Sequence, residues 1–137
     1  MASVEQRNPD MAVDRMMKRA TPVLSDEEAK AYAAPFPGPE YKMGVRTFPN
    51  LVPDKKDAPG AEISRRALDW WKNKWSGQSF MAIGMKDPIL GPKIMSWMRM
   101  QIKGCPPPFE VNEAGHFVQE WGEEIAHRAL ISFGLFK

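Results

Sequence analysis

The chain has 137 residues, with 19 Lys and Arg against 17 Asp and Glu, for a net charge of +2. That length supports one domain at most, and that balance excludes a strongly basic nucleic-acid binder and an acidic disordered tail. Proline, at 13 residues, runs well above its usual share of about 5% and predicts a fold punctuated by loops.

Residues 1–9 carry no periodicity and read as a frayed terminus. Residues 10–20 (DMAVDRMMKRA) are helical by composition. Ser25 followed by Glu28 is a capping-box pattern, so SDEEAKAYAA should open a helix that APFPGPE then breaks. A short helix is expected from about Glu40 to Thr47, ending at Phe48-Pro49. The segment 53–60 (PDKKDAPG) reads as a polar linker. After it the rhythm changes. Residues 61–75 are amphipathic at helical spacing, and SFMAIGM (79–85) is a nearly continuous apolar run, as in a buried parallel strand. Residues 91–102 suit a helix with Pro92 in its first turn. Phe109–Val111 is a short second strand, and 116–133 reads as one long amphipathic helix. Helix, strand, helix, strand, helix predicts an α/β arrangement with a parallel sheet. A strand as apolar as SFMAIGM calls for more neighbours than this chain supplies, so the sequence reads as the last part of a larger sheet protein.

One cysteine, Cys105, and two histidines, His116 and His127, exclude a disulfide framework and a cysteine-based zinc site, and no structural metal is expected. The stretch MASVEQRNPDMAVDR has charges where a signal peptide needs an apolar run, and no window reaches the ~18 apolar residues of a membrane span. A reducing, cytoplasmic setting without a membrane partner is the expectation. The tryptophans Trp70, Trp71, Trp75, Trp97 and Trp121 sit on amphipathic helices, where packing is their leading explanation. Lys55-Lys56, Arg65-Arg66 and Lys72/Lys74 are interspersed with acids and read as solvated faces.

The informative pair is Asp87, after the first strand in GMKDPILGP, and His116, after the second in NEAGHFVQE. Ligands of open α/β sheets bind outside the carboxyl ends of the strands, where both residues would project. A carboxylate beside an imidazole is the orienting half of a nucleophilic triad: the acid fixes the tautomer and steadies the imidazolium while the histidine acts as base. Acid before histidine is the order that closes an α/β hydrolase. The bland alternatives are a helix-start histidine bonded to nearby backbone and a turn carboxylate ahead of Pro88. His127 belongs mid-helix, facing solvent. No nucleophile accompanies the pair. Gly77-Gln78-Ser79-Phe80-Met81 lacks the second glycine of an elbow, and Cys105, ahead of three prolines, reads as structural.

The segments AAPFPGPEYKMGVRTFPNLVP, WSGQSFMAIGMKDPILGP and GCPPPFEVNEAGHFVQEWGEEIA resemble the C-terminal part of the haloalkane dehalogenases. The resemblance runs from about Asn8 to Phe133 and points to the branch that hydrolyses 1,2-dichloroethane. It implies an α/β hydrolase fold represented by its last two parallel strands, with residues 1–53 as part of a helical cap and 54–137 as the end of the core. It implies Asp87 as the acid and His116 as the base. Phe48, Pro49 and Val52 would line the cap side of a pocket for a small halogenated alkane, and Ile89 and Leu90 its floor. The elbow aspartate that displaces halide lies in the family's N-terminal part, so the chain alone should be inactive and poorly stable. It would await an N-terminal half or associate through its exposed sheet edge. Two other readings stand beside this one. An epoxide hydrolase would use cap tyrosines, for which Tyr32 and Tyr41 are candidates. A non-catalytic interaction or complementation module would explain the absent nucleophile.

Overall fold

The structure, a computed structural model, describes residues 10–136. The chain forms two compact units, one up to Arg65 and the other from Arg66 on, with the division inside a helix. The expected fraying of residues 1–9 lies outside the described residues.

In the first unit, helix α1 (Val13–Ala20) and helix α2 (Asp26–Ala33) pack together. Met11, Val13, Met17, Leu24 and Ala29 supply the buried apolar side chains. The capping box at the start of α2 is present: Ser25 Oγ accepts from the Glu28 amide at 3.2 Å, and the Ser25 amide donates to Glu28 Oε2 at 2.8 Å. Two of the amide donors that a helix start leaves orphaned are thereby satisfied. The expected helix from Glu40 to Thr47 is made in two pieces, a 3-10 turn at Pro39–Lys42 and α3 (Met43–Thr47). A further 3-10 turn, Phe48–Leu51, follows. Lys42 is buried, and its ammonium donates to Asp10 at 2.6 Å.

Thr21, which ends α1, is 2% exposed, and its hydroxyl has no hydrogen-bond partner among the described residues. A buried polar group left unpaired costs about 1–3 kcal/mol. The Thr21→Val variant keeps the β-branched shape without the hydroxyl, so it should stabilise the protein by about 1 kcal/mol. Its urea midpoint should rise relative to the wild type, and a lower midpoint would contradict this reading.

Helix α4 (Ala61–Asn73) starts where the sequence places it. At its C-terminal end Trp70, Trp71 and Trp75 meet edge-on or tilted, with ring centroids 4.9–5.3 Å apart. They pack on one another, as expected, yet Trp70 and Trp71 remain partly exposed. Strand β1 (Ala82–Gly84) pairs in parallel with β2 (Phe109–Val111), Ile83 standing opposite Glu110. The ladder is shorter than the apolar run 79–85. A strand can be only as long as its partner, and β2 is confined by the prolines before it and the turn after it. Helix α5 (Pro92–Gln101) crosses β1, so that Met95 and Ile102 pack on Met81, Ile83 and Cys105. Burying a side chain such as Ile83, 2% exposed, contributes about 1.5–3 kcal/mol. Burial also pushes the Cys105 thiol up, against a smaller opposing effect of Arg99, which suits a structural cysteine.

The last helix differs from the sequence expectation. Gly115, His116 and Phe117 are not helical. A 3-10 turn at Val118–Trp121 precedes α6 (Gly122–Ser132). Helix α6 is held to β2 by Arg128, whose guanidinium lies 4.3 Å over the Phe109 ring and also bonds Glu124. Gly134, at φ 70°, ends it, its amide bonding the Ile131 carbonyl.

Candidate active site

The two strands deliver their following loops to the same edge of the sheet. Backbone bonds tie those loops together: the Met85 amide donates to the Val111 carbonyl at 3.1 Å, and the Lys86 amide to the Ala114 carbonyl at 2.9 Å. The side chains of Lys86 and Glu113 form an ion pair across the same gap. Both ends of that pair are exposed, so it adds only about 0–1 kcal/mol.

Asp87 then sits in a tight turn, its amide bonded to the Gly84 carbonyl at 3.1 Å. Its Oδ1 accepts from the amides of Ile89 at 2.8 Å and Leu90 at 3.0 Å. The His116 Nδ1 lies 3.0 Å from Asp87 Oδ2 and 3.1 Å from Oδ1. The turn carboxylate and the histidine partner, alternatives in the sequence, are therefore one and the same group. Its side chain is 6% exposed, whereas that of His116 is 34% exposed. The buried member faces the protein and the ring keeps an edge toward solvent. Phe117 meets the imidazole edge-on, with ring centroids 5.3 Å apart.

Burial pushes the Asp87 carboxyl up, but the amides of Ile89 and Leu90 and the His116 ring together outweigh it. The net effect is a pKa below the ordinary 3.8. Asp87 is therefore an anion at neutral pH, the form that accepts from an Nδ1–H. The linkage sign follows. A carboxyl with a depressed folded pKa stabilises the fold fully above its unfolded value, and that contribution is lost as pH falls through the depressed value. The difference in urea midpoint between wild type and Asp87→Asn should shrink as pH falls below about 4. A difference that grows below that pH would contradict the assignment.

Ile89 and Leu90 follow Asp87 in the same turn, and their side chains are exposed beside the pair. Phe48, Pro49 and Val52 belong to the other unit. Phe48, 72% exposed, and Pro49 line an apolar hollow of about 450 Å³ with Met16, Gly44 and Val45, while Val52 lies exposed just beyond. Among the described residues no three His, Cys, Asp or Glu side chains gather as a metal site would require. His127 lies on the exposed face of α6, against Phe136. No described helix is long and apolar enough to cross a membrane.

No protein-family model matches the chain. A haloalkane dehalogenase of Psychrobacter cryohalolentis is 36% identical over 133 residues, which are 93% of this chain and 43% of that protein. Haloalkane dehalogenase 1 of Mycobacterium bovis is 35% identical over 102 residues, covering 72% of this chain and 33% of that one. Among solved structures, the tetrameric haloalkane dehalogenase DpaA of Paraglaciecola agarilytica superposes with a TM-score of 0.85 at 45% identity, over 90% of this chain and 42% of that one. The chain thus spans less than half the length of the relatives it matches.

Proposed function

Starting from a chain homologous to the haloalkane dehalogenases in sequence and fold, we propose that Asp87 and His116 are the acid and base of a hydrolytic triad. The single observation that carries this reading is the contact between His116 Nδ1 and a buried, ionised Asp87. The reaction has two steps. A carboxylate nucleophile, supplied by residues outside this chain, displaces halide from a haloalkane carbon, forming an alkyl ester and releasing the halide ion. His116 Nε2 then takes a proton from water as its oxygen attacks the ester carbonyl, and Asp87 stabilises the imidazolium so formed. Collapse of the tetrahedral intermediate expels the alkoxide, which leaves as the alcohol after receiving that proton. No metal or organic cofactor enters either step.

The substrate in this reading is a small halogenated alkane. Ile89 and Leu90 next to Asp87 are the substrate-contacting residues of the second unit in this reading, and Phe48, Pro49 and Val52 are those of the first. Exposed apolar side chains at all these positions support that assignment, since such pockets are mostly apolar with few polar groups. Two of these residues, Phe48 and Pro49, line the same hollow. The nucleophile comes from an N-terminal half, and the tetrameric relative supports self-association. The dehalogenase names of the relatives favour halide release over the epoxide reading. Joining the chain to a segment with an aspartate elbow and assaying halide and diol separately tests the choice. Halide from a dibromoalkane is expected, and diol from an epoxide without halide release would overturn it.

A further inference from the structure

Two glycines stand at the loops that carry the pair, and neither is there for its backbone conformation. The glycines with positive φ among the described residues are Gly60, Gly104 and Gly134. Gly91 has the ordinary extended values φ −72° and ψ −170°. What distinguishes Gly84 and Gly91 is space. A Cβ on Gly84 would run into the Gly115 carbonyl oxygen, and would lie 2.9 Å from the Ala114 carbonyl oxygen and 3.0 Å from Val118 Cγ1. A Cβ on Gly91 would run into the Asp87 carbonyl oxygen and lie 3.4 Å from its carbon.

We propose that Gly84 and Gly91 are positioning residues, whose missing side chains let the loop before His116 and the turn of Asp87 close to the distance at which the two side chains meet. The inference rests on the reading of Asp87 and His116 as a functional pair. Gly84 is the last residue of β1 and is buried. The atoms facing it are mostly backbone, so no rotamer change relieves the overlap. Ala114 and Gly115 immediately precede His116, and the Ala114 carbonyl is already held by the Lys86 amide at 2.9 Å. Moving them moves the imidazole. Gly91 acts on the other partner in the same way. Its surroundings are the backbone of Asp87, whose carboxylate is aimed by the amides of Ile89 and Leu90. Ordinary carbon contacts lie at about 3.5–4.0 Å, so either methyl forces a backbone shift of roughly 0.5 Å or more. A working constellation tolerates about 0.5 Å. Gly122 at the start of α6 is the contrast, because among the described residues nothing beyond its chain neighbours and its own helix backbone lies within 4 Å of its Cβ position.

The test reads the imidazole tautomer in the 15N-labelled chain. A His127→Gln background leaves His116 as its single histidine. The wild-type pair should show the Nδ1–H tautomer with a downfield, slowly exchanging Nδ1 proton. Gly84→Ala and Gly91→Ala should each lose that proton and show the mixed tautomers of a free imidazole while retaining their helical circular dichroism. Gly122→Ala should keep the wild-type signature. Where Gly84→Ala does not fold, Gly91→Ala carries the same test. Retention of the signature in the folded Gly84 and Gly91 variants would overturn the positioning role and leave the pair intact. Unfolding of both would assign the glycines to stability alone and also overturn it. Absence of the signature from the wild type would instead sink the pair itself, and the positioning role with it.

Discussion

Replacing His116 by glutamine in the nucleophile-bearing protein should give one equivalent of halide and then stop. Displacement of halide by a carboxylate consumes no proton and needs no base, so the first step survives. Attack of water on the ester does need a proton acceptor, and Gln has none of the required basicity. The ester should therefore accumulate, detectable as an adduct of the nucleophile-bearing segment by mass spectrometry. Steady-state turnover should fall by about ten-thousand-fold or more, the scale on which removing one member of a concerted triad acts. Rapid-mix halide detection separates the burst from turnover. A His116→Gln protein that turns over at the wild-type rate would remove His116 from the mechanism.

The Asp87→Asn variant should have nearly as large an effect, through the tautomer. Oδ1 of Asp87 accepts two amide hydrogen bonds, from Ile89 and Leu90, and Oδ2 faces His116 Nδ1 at 3.0 Å. An asparagine keeps the turn by leaving its oxygen on the amides. Its NH2 then replaces Oδ2 and donates to Nδ1, which becomes an acceptor. The proton moves to Nε2, the nitrogen that has to receive one from water. Turnover should fall by about a thousand- to ten-thousand-fold with the fold preserved. Substrate KM should change little, because the Asp87 side chain is only 6% exposed. The tautomer can be read by 15N NMR. A folded Asp87→Asn variant with unchanged turnover would contradict the role given to the carboxylate.

Local chemistry made some elements legible from the residues alone. The Ser25–Glu28 box starts α2, Pro92 opens α5, and Phe109–Val111 is a strand with the expected bounds. Placing Asp87 and His116 after adjacent parallel strands followed from the strand order, and the structure brings their side chains together. What escaped the sequence depends on contacts made at long range. The apolar spacing of 116–133 continues smoothly, but Ala114 and Gly115 lie against Gly84, which keeps 115–117 out of the helix. The run 79–85 has strand character throughout, yet only the part facing β2 is laddered. Phe48 and Val52 look the same in sequence whether they pack in a cap or line a pocket, and here both are largely exposed. The Lys86–Glu113 pair and the close approach at Gly84 and Gly91 carried no spacing signal. A glycine ending an apolar strand just before an acid was the one available hint.

Halide release by this chain joined to an aspartate-elbow segment from one of its dehalogenase relatives tests the central claim most directly. The account predicts continuous release of halide and alcohol from a brominated alkane in equal amounts. His116→Gln should reduce that to a single burst, and Asp87→Asn should slow it without abolishing folding. A folded assembly that turns over equally well with either substitution would contradict the claim that Asp87 and His116 perform the hydrolytic step.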